Sequence, residues 1–309
     1  MTKPPSYIDS LRNGLLNDKI KQAEEISLSC TLCPRKCAVN RLEDEKGFCN
    51  TGRNAQVASY TLHFGEERPL VGQGGSGTVF FAHCNLGCAF CQNYDISCSS
   101  WDFDQYAPHE LAEIFLELQN KGAENINLVT PSHVILPILQ AILIAAQKGL
   151  RIPLVYNTSS YDELNSLKLF QGIVDIYLAD TKFFHSQYAG KYAQASDYPE
   201  KAKQAILEMH RQVGSLTLDD KGRAYKGLMI RHLVMPRGLA GSEMWLEYIA
   251  QNLPADTYIN IMNQYHPAGK ASKFPELMKK VPGSVVEELK QKARFLGLNR
   301  LDKRKTILF

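Results

Sequence analysis

From residue 78 onward, short runs of β-branched and aromatic residues alternate with stretches that carry apolar residues every three or four positions. The runs predict six strands, Thr78–Ala82, Asn125–Thr130, Ile152–Asn157, Ile173–Ala179, Gly227–Met235 and Thr257–Tyr265. The stretches predict helices over Leu111–Asn120, Pro137–Gln147, Tyr161–Phe170 (capped by Ser159 or Ser160), Glu243–Asn252 and Val285–Leu296. This alternation predicts an α/β fold with a parallel sheet, and it leaves open whether the sheet is open or closed into a barrel.

The pattern divides the chain at residue 78. Residues 1–77 are predicted to form an N-terminal extension with a four-cysteine segment, and residues 78–309 are predicted to form the α/β core. The 309 residues are 44% hydrophobic and 22% charged, which excludes a mainly disordered chain. A chain of this length can bury a large core without disulfides.

Charge and apolar runs exclude two classes of partner. The formal net charge of +3 is too balanced for non-specific binding to nucleic acid. The longest apolar run, Val134–Ala146, is shorter than the roughly 20 residues that cross a bilayer. The first residues also lack the apolar segment of a signal peptide. We therefore expect a cytoplasmic protein with no membrane partner.

The chain has 8 cysteines, and all of them lie between Cys30 and Cys98. They form two groups with the close spacing typical of metal sites, namely Cys30, Cys33, Cys37 and Cys49, and then Cys84, Cys88 and Cys91 with Cys98 nearby. A disulfide framework is the less favoured interpretation, because the chain is large and has no secretion signal. The sequence therefore predicts metal chemistry.

The second group directly follows the first predicted strand. In parallel α/β folds, functional residues lie at the carboxyl ends of the strands. Three thiolates from Cys84, Cys88 and Cys91 suit an inorganic cluster, and four irons with three cysteines leave one iron open to a ligand. The alternatives are a structural cluster completed by Cys98 and a zinc site.

The string from His83 to Asn93, with Phe90 directly before the last cysteine of the motif, resembles the radical S-adenosylmethionine (SAM) superfamily. Within it, the string is similar to the branch of pyruvate formate-lyase activating enzymes. In particular, it resembles activase-like proteins that carry an N-terminal four-cysteine segment. The resemblance extends from Cys30 to about Tyr265.

The resemblance implies a partial (β/α)6 barrel in which Cys84, Cys88 and Cys91 ligate a 4Fe–4S cluster and SAM chelates the fourth iron. An electron from a reductant such as flavodoxin or ferredoxin would cleave SAM to a 5′-deoxyadenosyl radical, which would abstract hydrogen from a substrate. That substrate is expected to be a protein, such as a glycyl radical enzyme. A small molecule or another macromolecule is the alternative, and a non-catalytic iron–sulfur or zinc protein is a third.

The resemblance also assigns cofactor contacts at the strand ends. The family has a Gly-Gly-Glu-like stretch after the second strand, whereas this chain has no carboxylate there, so Thr130 is expected to meet the SAM amino group. Asn157 is expected near the ribose or carboxylate of SAM. Asp180 and Lys182 resemble the Asp-x-Lys of activating enzymes, and residues two apart in a strand share one face. Arg231 is suited to the SAM carboxylate. A structural ion pair is the alternative role for Asp180 and Lys182.

The first group, Cys30, Cys33, Cys37 and Cys49, supplies four thiolates for a second metal site. Four cysteines suit a closed structural zinc site. They also suit a second iron–sulfur cluster, although the spacing differs from that of bacterial ferredoxins. The sequence does not choose between the two metals. Cys98 is interpreted as an incidental thiol.

Overall fold

The computed structural model describes residues 4–98 and 103–302. Nine strands occur in them: β1 (Ala55–His63), β2 (Ser76–Phe81), β3 (Gln105–Tyr106), β4 (Ile126–Val129), β5 (Leu154–Thr158), β6 (Ile176–Thr181), β7 (Thr217–Leu218), β8 (Ala224–Leu233) and β9 (Tyr258–Met262). The same residues contain eleven helices: α1 (Ser6–Arg12), α2 (Leu15–Leu28), α3 (Arg68–Val71), α4 (Tyr94–Ser97), α5 (Pro108–Asn120), α6 (Ile135–Gln147), α7 (Leu164–Leu169), α8 (Ser186–Ala193), α9 (Tyr198–Val213), α10 (Ser242–Asn252) and α11 (Gly283–Phe295). The predicted α/β class is confirmed.

The strands form one mixed sheet. Strands β2, β4, β5, β6, β8 and β9 are parallel and follow one another in chain order across the sheet. These six correspond to the six predicted strands, with ends that differ by a few residues. The antiparallel strands β1, β3 and β7 were not predicted. Strand β1 pairs with β2, so part of the N-terminal extension lies in the same sheet as the core.

The two faces of the sheet are buried differently. Along β6, Tyr177 and Ala179 belong to the large core that the helices cover, whereas Ile176 and Leu178 belong to a smaller apolar cluster on the opposite face. Because successive side chains of a strand alternate between faces, this division follows directly from the sequence. Leu70 of α3 packs into the smaller cluster. That face therefore has an apolar layer around these residues.

One predicted helix begins later than expected. The prediction for Tyr161–Phe170 is wrong at its start, since α7 begins at Leu164 and Ser160 has a left-handed φ of 62°. The residues before the helix are drawn inward, because the buried carboxylate of Asp162 accepts hydrogen bonds from three hydroxyl groups: those of Ser132 (2.6 Å), Thr158 (2.6 Å) and Tyr156 (2.8 Å). Within residues 4–98 and 103–302, no helix has both the length and the apolar composition needed to cross a membrane.

Candidate functional site

The loop that carries the second cysteine group leaves the end of β2 in a sharp turn. His83 begins the turn in the left-handed region, with a φ of 65°. Further along, the N–H groups of Gly87 and Ala89 donate to the carbonyl oxygens of Ala193 and Tyr192 at 3.1 and 2.8 Å. Backbone contacts with the end of α8 therefore position the loop.

None of the three thiols of this loop forms a disulfide, and two of them receive hydrogen bonds. The Leu86 N–H donates to Cys84 Sγ at 3.3 Å, and the Ser97 hydroxyl lies 3.0 Å from Cys91 Sγ. Burial raises the pKa of Cys84 to about 12 and also raises the pKa values of Cys88 and Cys91, while these hydrogen bonds act in the opposite direction. Such thiols release their protons when a metal binds, because the metal supplies the compensating charge.

The sulfurs do not form a ready-made metal site. In residues 4–98 and 103–302, no three or more His, Cys, Asp or Glu side chains are arranged as a metal-binding group. Holding a metal here requires the thiols to turn towards a common point. The Ser97 hydroxyl also lies 3.5 Å from Cys98 Sγ, which places this fourth thiol beside Cys91.

Four of the residues predicted to contact SAM form one connected network. Arg231 Nε donates to Asp180 Oδ1 at 2.6 Å, and its Nη2 donates to Asn157 Oδ1 at 2.8 Å. Lys182 Nζ lies 3.2 Å from Asp180 Oδ2. Asp180 and Lys182 therefore lie on one face of their segment, as the alternation predicts. The positive charge of Lys182 opposes the rise in the pKa values of all three loop thiols. The network therefore acts electrostatically on the cysteine loop.

Two buried carboxyl groups of the N-terminal extension complete this network, and sequence reasoning missed both. Glu66 Oε1 accepts a hydrogen bond from Arg231 Nη1 at 2.9 Å, and its Oε2 accepts one from Asn127 Nδ2 at 2.9 Å. Glu67 lies 3.5 Å from the same Arg231 nitrogen and accepts a hydrogen bond from Asn260 Nδ2 at 2.9 Å. One feature of the sequence could have pointed to them, namely a pair of adjacent acidic residues directly before the short helix α3.

The charges of the network hold one another in the ionised state. Burial alone would raise the pKa values of Asp180 and Glu66, but the positive charge of Arg231 and the hydrogen bonds to these carboxylates together outweigh burial and lower both pKa values. For Lys182, burial opposes the charged form, and the charges of Asp180 and Cys88 together with the hydrogen bond to Asp180 outweigh burial and raise the pKa. The network thus holds its buried charges by mutual pairing and hydrogen bonds.

Thr130 lies beside this network through its backbone. It follows β4 with a left-handed φ of 60°, and its N–H donates to the Asn157 carbonyl at 2.8 Å. Its contact with SAM stays a prediction. His133, three residues further along the chain, lies beside the residue that follows β2, since its Nε2 is 2.9 Å from the Ala82 carbonyl oxygen. Burial at this position lowers the pKa of His133 to about 3.

Two sulfurs of the first cysteine group accept hydrogen bonds from a buried arginine. Arg41 is 5% exposed, and it donates from Nε to Cys30 Sγ at 2.9 Å and from Nη2 to Cys49 Sγ at 2.8 Å. Its remaining Nη1 donates to the His133 carbonyl at 2.9 Å. A buried guanidinium group requires hydrogen-bond acceptors, and the two sulfurs and the carbonyl oxygen supply them. Cys33 is buried in the same region.

The other thiols of this group also receive backbone hydrogen bonds. The Phe48 N–H donates to Cys37 Sγ at 3.4 Å. Burial raises the pKa of Cys33 to about 12, and a hydrogen bond from the Arg35 backbone opposes that shift. The Arg35 side chain donates from Nε to the Asn85 carbonyl at 2.8 Å, inside the second cysteine loop. Arg35 therefore links the segment that carries the first cysteine group to the loop that carries the second.

Comparison with known proteins identifies one relative in the archaeon Methanocaldococcus jannaschii. No family model matches the chain. The archaeal protein, named "Uncharacterized protein MJ0674", is 31% identical over 301 residues, which cover 94% of this chain and 82% of the relative. The chain belongs to the family of this protein. Because the match covers most of both chains, the family likeness concerns the whole fold rather than one motif.

Proposed function

We propose that the protein is a radical SAM enzyme in which Cys84, Cys88 and Cys91 ligate a 4Fe–4S cluster. The observation that carries this proposal is the position of the three thiols. They follow the first parallel strand and share a region with the ionised network of Asp180 and Arg231 at the ends of β6 and β8. Carboxyl ends of parallel strands are where α/β enzymes place their chemistry.

The strand order supports a partial (β/α)6 barrel as the core. The parallel strands are adjacent in chain order, and helices cover one face of the sheet. A doubly wound sheet reverses its strand order at a switch point, whereas a barrel does not. The charged network would then line the inner face.

The donor set fits a cluster by its chemistry. Thiolates are the usual ligands of iron–sulfur clusters, and hydrogen bonds to their sulfurs tune them. When bound, the cluster and SAM supply reductive cleavage of the sulfonium bond and a radical that abstracts hydrogen from the substrate. The protein's own residues orient the ligands and exclude water.

Arg231 and Lys182 are the residues proposed to hold the SAM carboxylate. A guanidinium group has five N–H donors, and the hydrogen bonds to Asp180, Glu66 and Asn157 engage three of them. Lys182 donates one of its three N–H groups to Asp180. The carboxyl groups fix both cations in place and leave further donors for a ligand. Asn127 Oδ1 is a buried acceptor with no hydrogen-bond partner among the described residues, and it could accept from the ligand's amino group.

The similarity to activating enzymes supports a protein substrate, with flavodoxin or ferredoxin as the reductant. Cys30, Cys33, Cys37 and Cys49 would hold the second metal, zinc or an iron–sulfur cluster. Arg41 and the backbone N–H groups that reach these sulfurs support a bound metal but do not distinguish between the two.

The test is anaerobic reconstitution with iron and sulfide, followed by reduction with dithionite in the presence of SAM. We expect 5′-deoxyadenosine and methionine from the wild type and from Cys98→Ala. We expect neither product from Cys84→Ala, Cys88→Ala or Cys91→Ala, together with a lower iron count. Retained cleavage in any of these three variants would contradict the ligand assignment.

A further inference from the structure

A cleft of about 930 Å³ lies at the amino ends of the parallel strands, away from the cysteine loop. Its walls are the start of α3, the glycine-rich turn before β2, the turn between β7 and β8, and the residues that follow α11. Its volume lies within the range of small-molecule sites, about 300–1,000 Å³. Nothing in the proposed function uses this cleft.

The lining of the cleft is cationic. Six charged side chains contribute to it, Arg68, Lys221, Arg223, Arg300, Glu124 and Asp302. Arg223 is neutralised by Glu124 and Asp219, each at 2.7 Å. Arg68, Lys221 and Arg300 make no ion pair with a carboxylate of residues 4–98 or 103–302. Three positive charges from separate segments therefore line one cleft with Asp302, and none of the three forms an ion pair with a described carboxylate.

Arg300 is held in place without being neutralised. Its Nη1 donates to the Leu216 carbonyl, and its guanidinium carbon lies 5.9 Å from the centre of the Tyr258 ring. The Tyr258 hydroxyl in turn donates to Asp302 at 2.5 Å. This arrangement orients a planar donor group, which is the geometry that recognises carboxylates and phosphates.

The turn beside the cleft already binds one anionic group. The N–H groups of Gln73 and Gly74 donate to Glu124 Oε1 at 3.0 and 3.1 Å, and Arg223 Nη1 donates to Glu124 Oε2 at 2.7 Å. A Cβ on Gly74 would come within 1.8 Å of the Gly122 carbonyl oxygen, so this turn requires glycine. Successive backbone N–H groups with a nearby arginine are typical of anion sites. The wall of the cleft is thus fixed by an internal carboxylate, which leaves Arg68, Lys221 and Arg300 as the cations that face a ligand.

We propose that the cleft binds a small polyanion of the phosphate-ester class, held by Arg68, Lys221 and Arg300. The limited volume of the cleft favours a small molecule over a nucleic acid or a membrane, which require an extended basic surface. The segment from Glu66 to Leu70 separates this site from the charged network, since Glu66 contacts Arg231 while Arg68 lines the cleft. The site is thus distinct from the cysteine loop and does not depend on its chemistry.

The experiment is calorimetric titration of the full-length protein with ADP and with inorganic pyrophosphate at physiological ionic strength, with adenosine as the uncharged comparison. We expect saturable binding of at least one anion and none of adenosine. Lys221→Glu and Arg68→Glu should each weaken binding about tenfold, because each removes a hydrogen bond to a charged group and the loss of one such bond lowers affinity by about that factor. The matched control is Lys21→Glu, which makes the same charge change on the exposed surface of α2 and should leave the affinity unchanged.

Three results would overturn the proposal. The first is the absence of saturable binding for both anions at millimolar concentrations. The second is an affinity that Lys221→Glu and Lys21→Glu reduce equally, which would indicate a general charge effect. The third is tighter binding to RNA oligomers or to vesicles with anionic lipids than to either small anion, because that would assign the cleft to a macromolecule or a membrane surface.

Discussion

Cys84 and Cys91 are partly exposed in a loop at the end of a parallel strand, whereas Cys30, Cys33 and Cys49 are buried in the N-terminal segment. The cations beside the two groups differ as well. Lys182 is shared between the loop thiols and Asp180, while Arg41 is hydrogen-bonded to two sulfurs and a backbone carbonyl. The first group therefore lies beside a charged network of several side chains, and the second is hydrogen-bonded to a single buried cation of its own. We interpret the first as the reactive site and the second as a structural or electron-transfer site.

The largest expected effect is a difference in SAM cleavage between variants of the two cysteine groups. Cys88→Ala should abolish 5′-deoxyadenosine formation, because the cluster would lose a ligand. Cys33→Ala should lower the metal content and the melting temperature while SAM cleavage with dithionite persists, because structural metal sites stabilise the fold.

The reductant sharpens this comparison. If the N-terminal site passes electrons, Cys33→Ala should lose cleavage with flavodoxin as the donor and retain it with dithionite. If the site holds zinc, both donors should support cleavage equally per folded molecule. Loss of cleavage with dithionite in Cys33→Ala would contradict the division into a reactive and a supporting group.

Removing Arg231 should cause the largest loss of stability. Arg231→Met removes the cation that Asp180 and Glu66 share and leaves Lys182 at Asp180, and breaking such a buried pair costs about 3–5 kcal/mol. Urea unfolding measures the change, and Arg231→Met combined with Asp180→Asn should recover part of it. Arg294→Met on the exposed surface of α11 is the control and should change stability by less than about 0.5 kcal/mol.

Removing Arg41 should cost less, about 2–3 kcal/mol, because the change removes its hydrogen bonds to the sulfurs of Cys30 and Cys49 but breaks no ion pair with a buried carboxylate of the described residues. The same unfolding measurement on Arg41→Met gives the value. A loss as large as that of Arg231→Met would contradict this ranking of the two buried cations.

A smaller effect concerns pH. Burial lowers the pKa of His232 to about 4, from its ordinary value of 6.5. Between these values the unfolded chain binds a proton that the folded chain does not, so the unfolding free energy falls as pH falls, by up to about 1.4 kcal/mol per pH unit. His232→Gln should reduce this slope, whereas His109→Gln at an exposed position should not. An unchanged slope in His232→Gln would show that the folded protein protonates this residue normally.

Sequence reasoning found the elements and residues that obey local rules. The six parallel strands and the shared side of Asp180 and Lys182 follow from periodicity, and Arg231 was predicted from the resemblance of its strand to the arginine-bearing strand of activating enzymes. Glu66 and Glu67 were missed because they reach the network from a loop before the first parallel strand. No local sequence pattern predicts that this loop places its carboxyl groups beside Arg231.

Long-range contacts also account for the wrong start of α7. Ser159 and Ser160 have the composition of helix caps, but the burial of Asp162 among three hydroxyl groups outweighs that preference. Likewise, the contact between Arg35 and the Asn85 carbonyl joins residues 50 positions apart. Spacing could predict two cysteine groups but not that Arg35 links the segments that carry them.

Electron paramagnetic resonance of the reduced, reconstituted protein, recorded with and without SAM, tests the central claim most directly. Iron and zinc are counted on the same sample to identify the metal at the N-terminal cysteines. We predict a 4Fe–4S signal that changes when SAM is added and that is absent from Cys88→Ala. A cluster signal that SAM leaves unchanged, with no 5′-deoxyadenosine formed, would contradict the account.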